Sequence, residues 1–205
     1  IPFYHFGLRT QYDFNDSVWL MAHVTNGWNN VIDNNTGKSF GLQVGFSPFE
    51  DVSIVQNYMV GAERTDLNRG VRHIFDTIVT YSPTDQLSFM INYDYGREVG
   101  AFSGEPSVDW QGVAAFLRYA LNDRAAVASR YEWFDDNDGF STGLSQQVKE
   151  FTQTFEYKVA GNLLTRFEFR RDYSNQPTFL KGPDRIVSGQ NTLILGLVYS
   201  FDASE

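Results

Sequence analysis

The stretch Asn191 to Phe201 reads NTLILGLVYSF, and its two faces separate. Leu193, Leu195, Leu197, Tyr199 and Phe201 fall on one side, with Thr192, Ile194, Gly196, Val198 and Ser200 on the other. Side chains alternate across a strand with period two, so this spacing predicts a strand with one large apolar stripe and one small, mildly polar face. The opposite end of the chain repeats the pattern. There Tyr4, Phe6, Leu8, Thr10, Tyr12 and Phe14 interleave with His5, Gly7, Arg9, Gln11 and Asp13.

Working inward, the same alternation predicts strands over 18–28, 40–46, 52–63, 72–81, 87–97, 110–121, 125–135, 148–159 and 163–174, about eleven in all with 4–14 and 191–201. Short turns at Asn15-Asp16-Ser17, Pro48–Asp51, Pro83-Thr84-Asp85, Asn122-Asp123 and Ala160-Gly161-Asn162 alternate with longer polar segments at 29–38, 64–71, 98–109, 136–147 and 175–190. No segment carries helical periodicity of useful length. The expected fold is all-β, an antiparallel up-and-down barrel.

The 205 residues carry a formal net charge of -9 and contain no cysteine, with 18 Phe and 11 Tyr. Lack of cysteine excludes a disulfide framework, cysteine-zinc sites and thiol catalysis. An acidic balance with scattered arginines lacks the clustered basic face of a nucleic-acid partner. No apolar run approaches the roughly 18 residues of a transmembrane helix, and the mean hydropathy is -0.34. A transmembrane barrel has the same bulk hydropathy, because only every second residue meets lipid. The regular sorting of connections into short turns and long loops favours that barrel over a soluble sandwich.

A sheet in lipid must close on itself, since an unpaired edge leaves N–H and C=O groups with no water to bind. Single-chain bacterial barrels have even strand counts. Eleven visible strands therefore predict 12 or more in the closed barrel, with at least one preceding Ile1. Residues 1–205 are expected to form one domain, the C-terminal portion of a larger barrel. Ile1 opens directly on a strand-like pattern with no signal peptide, which reads as a mature or incomplete chain.

Several segments carry a family resemblance. Asn26-Gly27-Trp28-Asn29-Asn30, then Asp33-Asn34-Asn35 and Lys38-Ser39, resemble a segment of the OmpL-like β-barrel porins, a bacterial outer-membrane family. Asp76 ahead of Tyr81-Ser82-Pro83-Thr84, Asn92-Tyr93-Asp94-Tyr95-Gly96, Arg118-Tyr119, and Arg130-Tyr131-Glu132 with Asp135 and Gly139 fit as well. The final stripe, ending in an aromatic, is similar to the closing strand of such barrels. The resemblance implies a bacterial outer-membrane location, contact with outer-membrane lipid, and passive diffusion of small hydrophilic solutes or ions with no enzymatic step. It also implies partners of outer-membrane type, a homo-oligomer such as a trimer or another component of that membrane. No cofactor is implied.

Function would sit on the polar face of the strands. The candidate pore-lining residues are Arg9, Asp13, Asp76, Asp94, Arg118, Arg130, Glu132, Glu156, Arg166, Glu168, Arg170 and Asp172. An Arg or Lys facing lipid near the midplane costs roughly 2–4 kcal/mol, which assigns these side chains to the interior. Arg118, Arg130, Arg166 and Arg170 could form a basic ladder opposite acidic residues, and fixed charge beside a water-filled path selects solutes. The alternative is a plugged lumen of cross-strand ion pairs, each contributing about 0.2–1 kcal/mol. Loops 98–109 and 175–190 are candidates for narrowing the path.

Catalysis finds no support: His5, His23 and His73 lie in no motif, and no nucleophile elbow, zinc helix or phosphate loop occurs. Asp135-Asp136-Asn137-Asp138-Gly139 is weakly similar to calcium-binding turns and reads better as a solvated turn, so no metal site is assigned. Trp19, Trp28, Tyr81, Tyr95, Trp110, Trp133, Tyr173 and Tyr199 are candidates for aromatic girdles at the two interfaces. Two other readings remain open at this level: a structural barrel sheathing a partner, such as an electron-transfer conduit or a secretion component, and a soluble ligand-binding barrel.

Overall fold

The computed structural model describes residues 2–101 and 107–201. Thirteen strands follow in chain order: β1 (Gly7–Asn15), β2 (Val18–Thr25), β3 (Ser39–Phe49), β4 (Val52–Arg64), β5 (Leu67–Tyr81), β6 (Leu87–Val99), β7 (Ser107–Ala120), β8 (Ala125–Asp136), β9 (Gln146–Ala160), β10 (Leu163–Ser174), β11 (Phe179–Leu180), β12 (Ile186–Val187) and β13 (Gly189–Tyr199). Eleven of them form one antiparallel sheet in the order β1 through β10 and then β13, each beside its chain neighbour. The short pair β11 and β12 lies within the last long connection.

Residues directly opposite each other in a ladder share a face, and a one-residue slip would exchange the faces. The register therefore sorts every side chain. Leu195, Phe167, Phe155, Val127 and Tyr119 form one continuous row across β13, β10, β9, β8 and β7. The adjacent row on the other face holds Gly196, Arg166, Glu156, Ala126 and Ala120.

Burial runs inside out relative to a water-soluble protein. The largest fully buried side chains are Glu98, Asp136, Asp172, Ser39 and Ser174, whereas Leu195 is 74% exposed, Leu193 68% and Phe167 53%. Such a continuous apolar exterior far exceeds the patches a soluble monomer tolerates, and it rules out the soluble ligand-binding barrel. Polar groups that do reach this outer face satisfy one another. The Thr77 hydroxyl donates to Gln56 at 2.6 Å, Ser129 donates to Gln153 at 2.8 Å, and the Gln153 amide donates to the Ala128 carbonyl at 2.9 Å. Lipid demands such internal pairing, because it offers no hydrogen bonds.

Several boundaries differ from the sequence pattern. Segment 64–71 is no loop: Arg64 pairs with Leu67 across a two-residue turn in which Asp66 takes φ 60°. Its Asn68-Arg69-Gly70 run looks like a loop in composition, but the strands continue through it with a bulge, and Gly70 sits there at φ 80°. Strand β3 passes through Pro48 to Phe49, with a register shift between Phe46 and Phe49 that accommodates the missing N–H. Strands β6 and β7 extend to Val99 and from Ser107, so both ends of loop 98–109 are strand, and residues 102–106 lie outside the described residues. Strand β1 starts at Gly7 and β2 stops at Thr25, which releases Asn26 to Trp28 from the ladder.

Strands β1 and β13 are the two edges of the sheet. All nine residues of β1 are exposed. As first and eleventh members of an antiparallel order, the two edge strands run in the same direction.

Candidate functional site

The register places all twelve candidate pore-lining residues on the same face of the sheet. Arg9 lies opposite His23 and Asp13 opposite Trp19; Asp76 pairs with Asp94; Arg118 lies opposite Ala128; Arg130 and Arg170 flank Thr152; Glu132 and Asp172 flank Glu150; Arg166 lies opposite Glu156, and Glu168 opposite Thr154. This face is the concave one. Trp28, just beyond β2, approaches Trp110 of β7 to 6.4 Å between ring centroids. Side chains five strands apart meet only where the sheet curls around them.

Strands β7 to β10 carry the densest charge. Glu156 bridges two arginines, accepting from Arg166 Nε at 2.8 Å and lying 3.0 Å from Arg118 Nη2. Arg130 pairs with Glu150 and lies 3.4 Å from Glu132, while Arg170 reaches Asp172 at 2.8 Å and Glu150 at 3.8 Å. Glu168 accepts from Thr154 Oγ1 at 2.9 Å. The carboxylates of Glu150, Glu156 and Asp172 are sunk in the wall, and the arginines that meet them remain partly exposed. A guanidinium is weakly hydrated and long, so it can pair with a wall carboxylate and still turn a side to water. The ladder exists, and it is compensated: the pore-lining and the ion-paired readings describe the same residues.

At the short-turn end this wall opens into a cavity of about 610 Å³, lined among others by Arg118, Arg124, Glu156, Lys158 and Arg166. On the neighbouring strands β5 and β6, Asp76 and Asp94 sit side by side. Asp76 accepts amide hydrogens from Asn57 at 2.7 Å and Asn92 at 2.5 Å. Among the described residues neither carboxylate has a Lys or Arg within ion-pair distance. Arg9 and Asp13, on edge strand β1, stand apart from the β7–β10 network; Asp13 accepts from Gln11 at 2.8 Å.

The other part of the concave face is apolar, and sequence reasoning missed it. Trp19, Met21, Met59, Ile74 and Ile78 occupy inward register positions on β2, β4 and β5. The available signal was the imperfect alternation around Trp19 and Met21.

The aromatic girdle expectation needs correction. Trp133, Tyr81, Tyr95, Tyr173 and Tyr199 take outward register positions, but Trp19 and Trp110 are inward and Trp28 leaves the ladder. Trp110 is 4% exposed. Its indole lies where a Cβ on the facing Gly96 would be, so the absence of a side chain there creates its seat. The 135–139 segment also departs from a solvated turn. Asp136 is fully buried and accepts backbone N–H groups of Phe140 at 2.9 Å, Ser141 at 3.0 Å and Thr142 at 2.7 Å. That carboxylate is spent on folding the loop. His5 and His23 lie with ring centroids 5.2 Å apart, and His73 contacts the Tyr58 hydroxyl at 2.7 Å on the outer face.

The match over residues 1–201 is to the family described as "Putative beta-barrel porin-2, OmpL-like". The chain belongs to this family. Its solved structural neighbours are outer-membrane proteins. Outer-membrane expressed OmpT of Vibrio cholerae superposes with a TM-score of 0.65 at 17% identity, covering 93% of this chain and 63% of that one. The NanC porin superposes at 0.55 with 12% identity, covering 95% of this chain and 92% of that one. The chain thus spans less than two thirds of the OmpT structure. No curated protein matches. Membership of the OmpL-like family places the chain in the bacterial outer membrane, with its apolar convex face against lipid.

Proposed function

We propose that this OmpL-like barrel is a passive diffusion channel for small hydrophilic solutes and ions, with the twelve concave-face residues lining its path and no chemical step. The observation that carries the reading is the placement of the charged side chains on one curled face whose opposite face is continuously apolar. Guanidinium groups that are paired yet partly exposed keep that path hydrated, and fixed charges beside water discriminate among solutes.

The charge pattern favours cations. On β7–β10, Arg118, Arg130, Arg166 and Arg170, with Lys158 at the mouth, are matched by Glu132, Glu150, Glu156, Glu168 and Asp172. Asp76 and Asp94 remain as surplus negative charge. The proposed pore requires closure of the sheet by further strands, antiparallel to both β1 and β13. This extends the reading that the chain is one portion of a larger barrel.

The test is a planar-bilayer recording of the detergent-purified protein in a salt gradient. Stepwise currents with a cation-selective reversal potential, reduced in the Asp76→Asn/Asp94→Asn double variant, are expected. Folded, inserted protein that passes no current would refute the channel and favour a sheathing barrel.

A further inference from the structure

The family-like segment around Trp28 gains a role from where it folds. Gly27 at φ 102° and Asn29 at φ 57° turn the backbone on both sides of Trp28, and its N–H donates to Glu63 at 2.8 Å. Glu63 is itself buried and accepts from the Ser39 hydroxyl at 2.5 Å. The remainder of the segment is pinned as firmly: the Asn35 amide donates to the Ala62 carbonyl at 2.9 Å, Gly37 N–H donates to Asn35 at 2.7 Å, and Lys38 donates to Asn26 at 2.9 Å. A well-fixed loop therefore presents the Trp28 indole to the concave side.

There it meets a stack built from three other elements. The Arg72 guanidinium of β5 lies 4.9 Å from the Trp28 ring centroid and 5.2 Å from that of Phe140, which belongs to the β8–β9 loop. Phe140 stacks on Trp110 of β7 at 5.1 Å and 24°. Arg72 is aimed by Glu98, which accepts its Nε–H at 2.7 Å and is fully buried. Phe140 is aimed by buried Asp136. Trp110, Phe140, Arg72 and Trp28 thus form a closed cluster, with Trp28 also 6.4 Å from Trp110, which ties the β2–β3 loop to the β7 wall as a chord at the long-loop end of the concave face. Each member is held by a separate buried carboxylate or a glycine seat, so the chord is preorganised.

We propose that this stack is the constriction of the channel and that Trp28 and Phe140 set the size limit for permeating solutes. The proposal rests on the channel reading above. Because Glu98 compensates Arg72, the constriction selects by size, while charge selection belongs to Asp76 and Asp94 on the strands themselves. The two properties should separate on mutation.

The test compares unit conductance, the exclusion limit for uncharged polymers, and reversal potential in wild type, Trp28→Ala, Phe140→Ala and Trp28→Phe, each verified as folded by heat-modifiable gel mobility. The two alanine variants should raise conductance and admit larger polymers with the reversal potential unchanged, and Trp28→Phe should stay near wild type. A conducting wild type whose alanine variants behave identically would overturn the constriction and leave the channel standing. If wild type and variants are all silent, the channel reading falls and the constriction with it. A silent wild type opened by either alanine variant would overturn both the diffusion reading and a constriction that passes solutes. The chain has no cysteine, which allows a second measurement that does not depend on alanine folding. A charged, membrane-impermeant thiol reagent should reduce the current of Trp28→Cys and leave Leu195→Cys unaffected; equal responses would overturn the proposal.

Discussion

Two neighbouring residues of β13 provide the sharpest test of which face meets lipid. Leu195 is 74% exposed and shares the outer row with Phe167; Ile194 is 44% exposed and faces Glu168 across the β10–β13 ladder. Both lie near the middle of the strand. An arginine at position 195 would enter the apolar layer near the midplane, at a cost of roughly 2–4 kcal/mol. An arginine at 194 would enter the lumen directly opposite a carboxylate, and such a pair contributes about 0.2–1 kcal/mol. The two substitutions should therefore differ by about 2–5 kcal/mol, or roughly thirty-fold to a few thousand-fold in the folding equilibrium at 1.4 kcal/mol per decade. The assay is reversible urea unfolding of each variant in phospholipid vesicles, with midpoints and slopes compared so that a changed slope is not mistaken for lost stability. Equal destabilisation, or a larger loss for Ile194→Arg, would refute the assignment of faces and with it the lumen.

Gly96→Ala should destabilise by about 1–3 kcal/mol, because the Trp110 indole occupies the space of the added Cβ. Gly161→Ala, at a turn with open space around the Cβ position, serves as the control in the same unfolding assay. Glu156→Gln leaves Arg118 and Arg166 without their shared carboxylate; the reversal potential should move toward anions, and an unchanged value would remove these side chains from the ion path. The Lys38 side-chain hydrogen bond, aided by the Asn35 N–H, holds the Asp33 carboxyl below its ordinary 3.8. A depressed carboxyl stabilises the folded loop above its unfolded value and loses that contribution as pH falls through the folded one. Pepsin cleavage within 26–38 should thus rise only below about pH 4, with Asp33→Asn showing a flatter profile; a rise already near neutral pH would contradict this.

The strands were legible because the outer face is repetitive. Lipid imposes one requirement on every second residue, and runs such as Leu193, Leu195 and Leu197 or Phe40, Leu42, Val44 and Phe46 state it without interruption. The charged candidates followed from the complementary positions, and the register put every one of them on a common face. What alternation could not convey is how that face is divided. Met59, Ile74 and Ile78 are as apolar as the outer residues, and only their ladder partners reveal that they point inward. The roles of Trp28 and Trp110 were hidden for a related reason. An aromatic near a strand end suits a membrane interface equally well, and its true direction depends on contacts 82 residues away in sequence. Asp136 likewise looks like part of a polar turn until its three backbone donors are located.

The uneven division of the concave face gives the proposed path a physical character that charge alone would not. Along β7 to β10 the wall presents paired guanidinium groups that stay partly exposed, which lets them keep hydration in the proposed path. Along β2, β4 and β5, Trp19, Met21, Met59 and Ile74 offer no comparable hydrogen bonds. A solute between the two walls exchanges hydration for polar contact on one side only, so its passage depends on how its own polarity is distributed as well as on its size. Asp76 lies between the regimes, fixed by Asn57 and Asn92 at the border of the apolar strands. Two amide donors hold this carboxylate in place, and among the described residues no Lys or Arg lies within ion-pair distance of it. The balanced ladder on β7–β10 cannot supply this, since each of its arginines already has a carboxylate beside it. On the proposed reading the sign of selectivity is therefore set at Asp76 and Asp94, and the more heavily charged strands serve chiefly to keep the path wet.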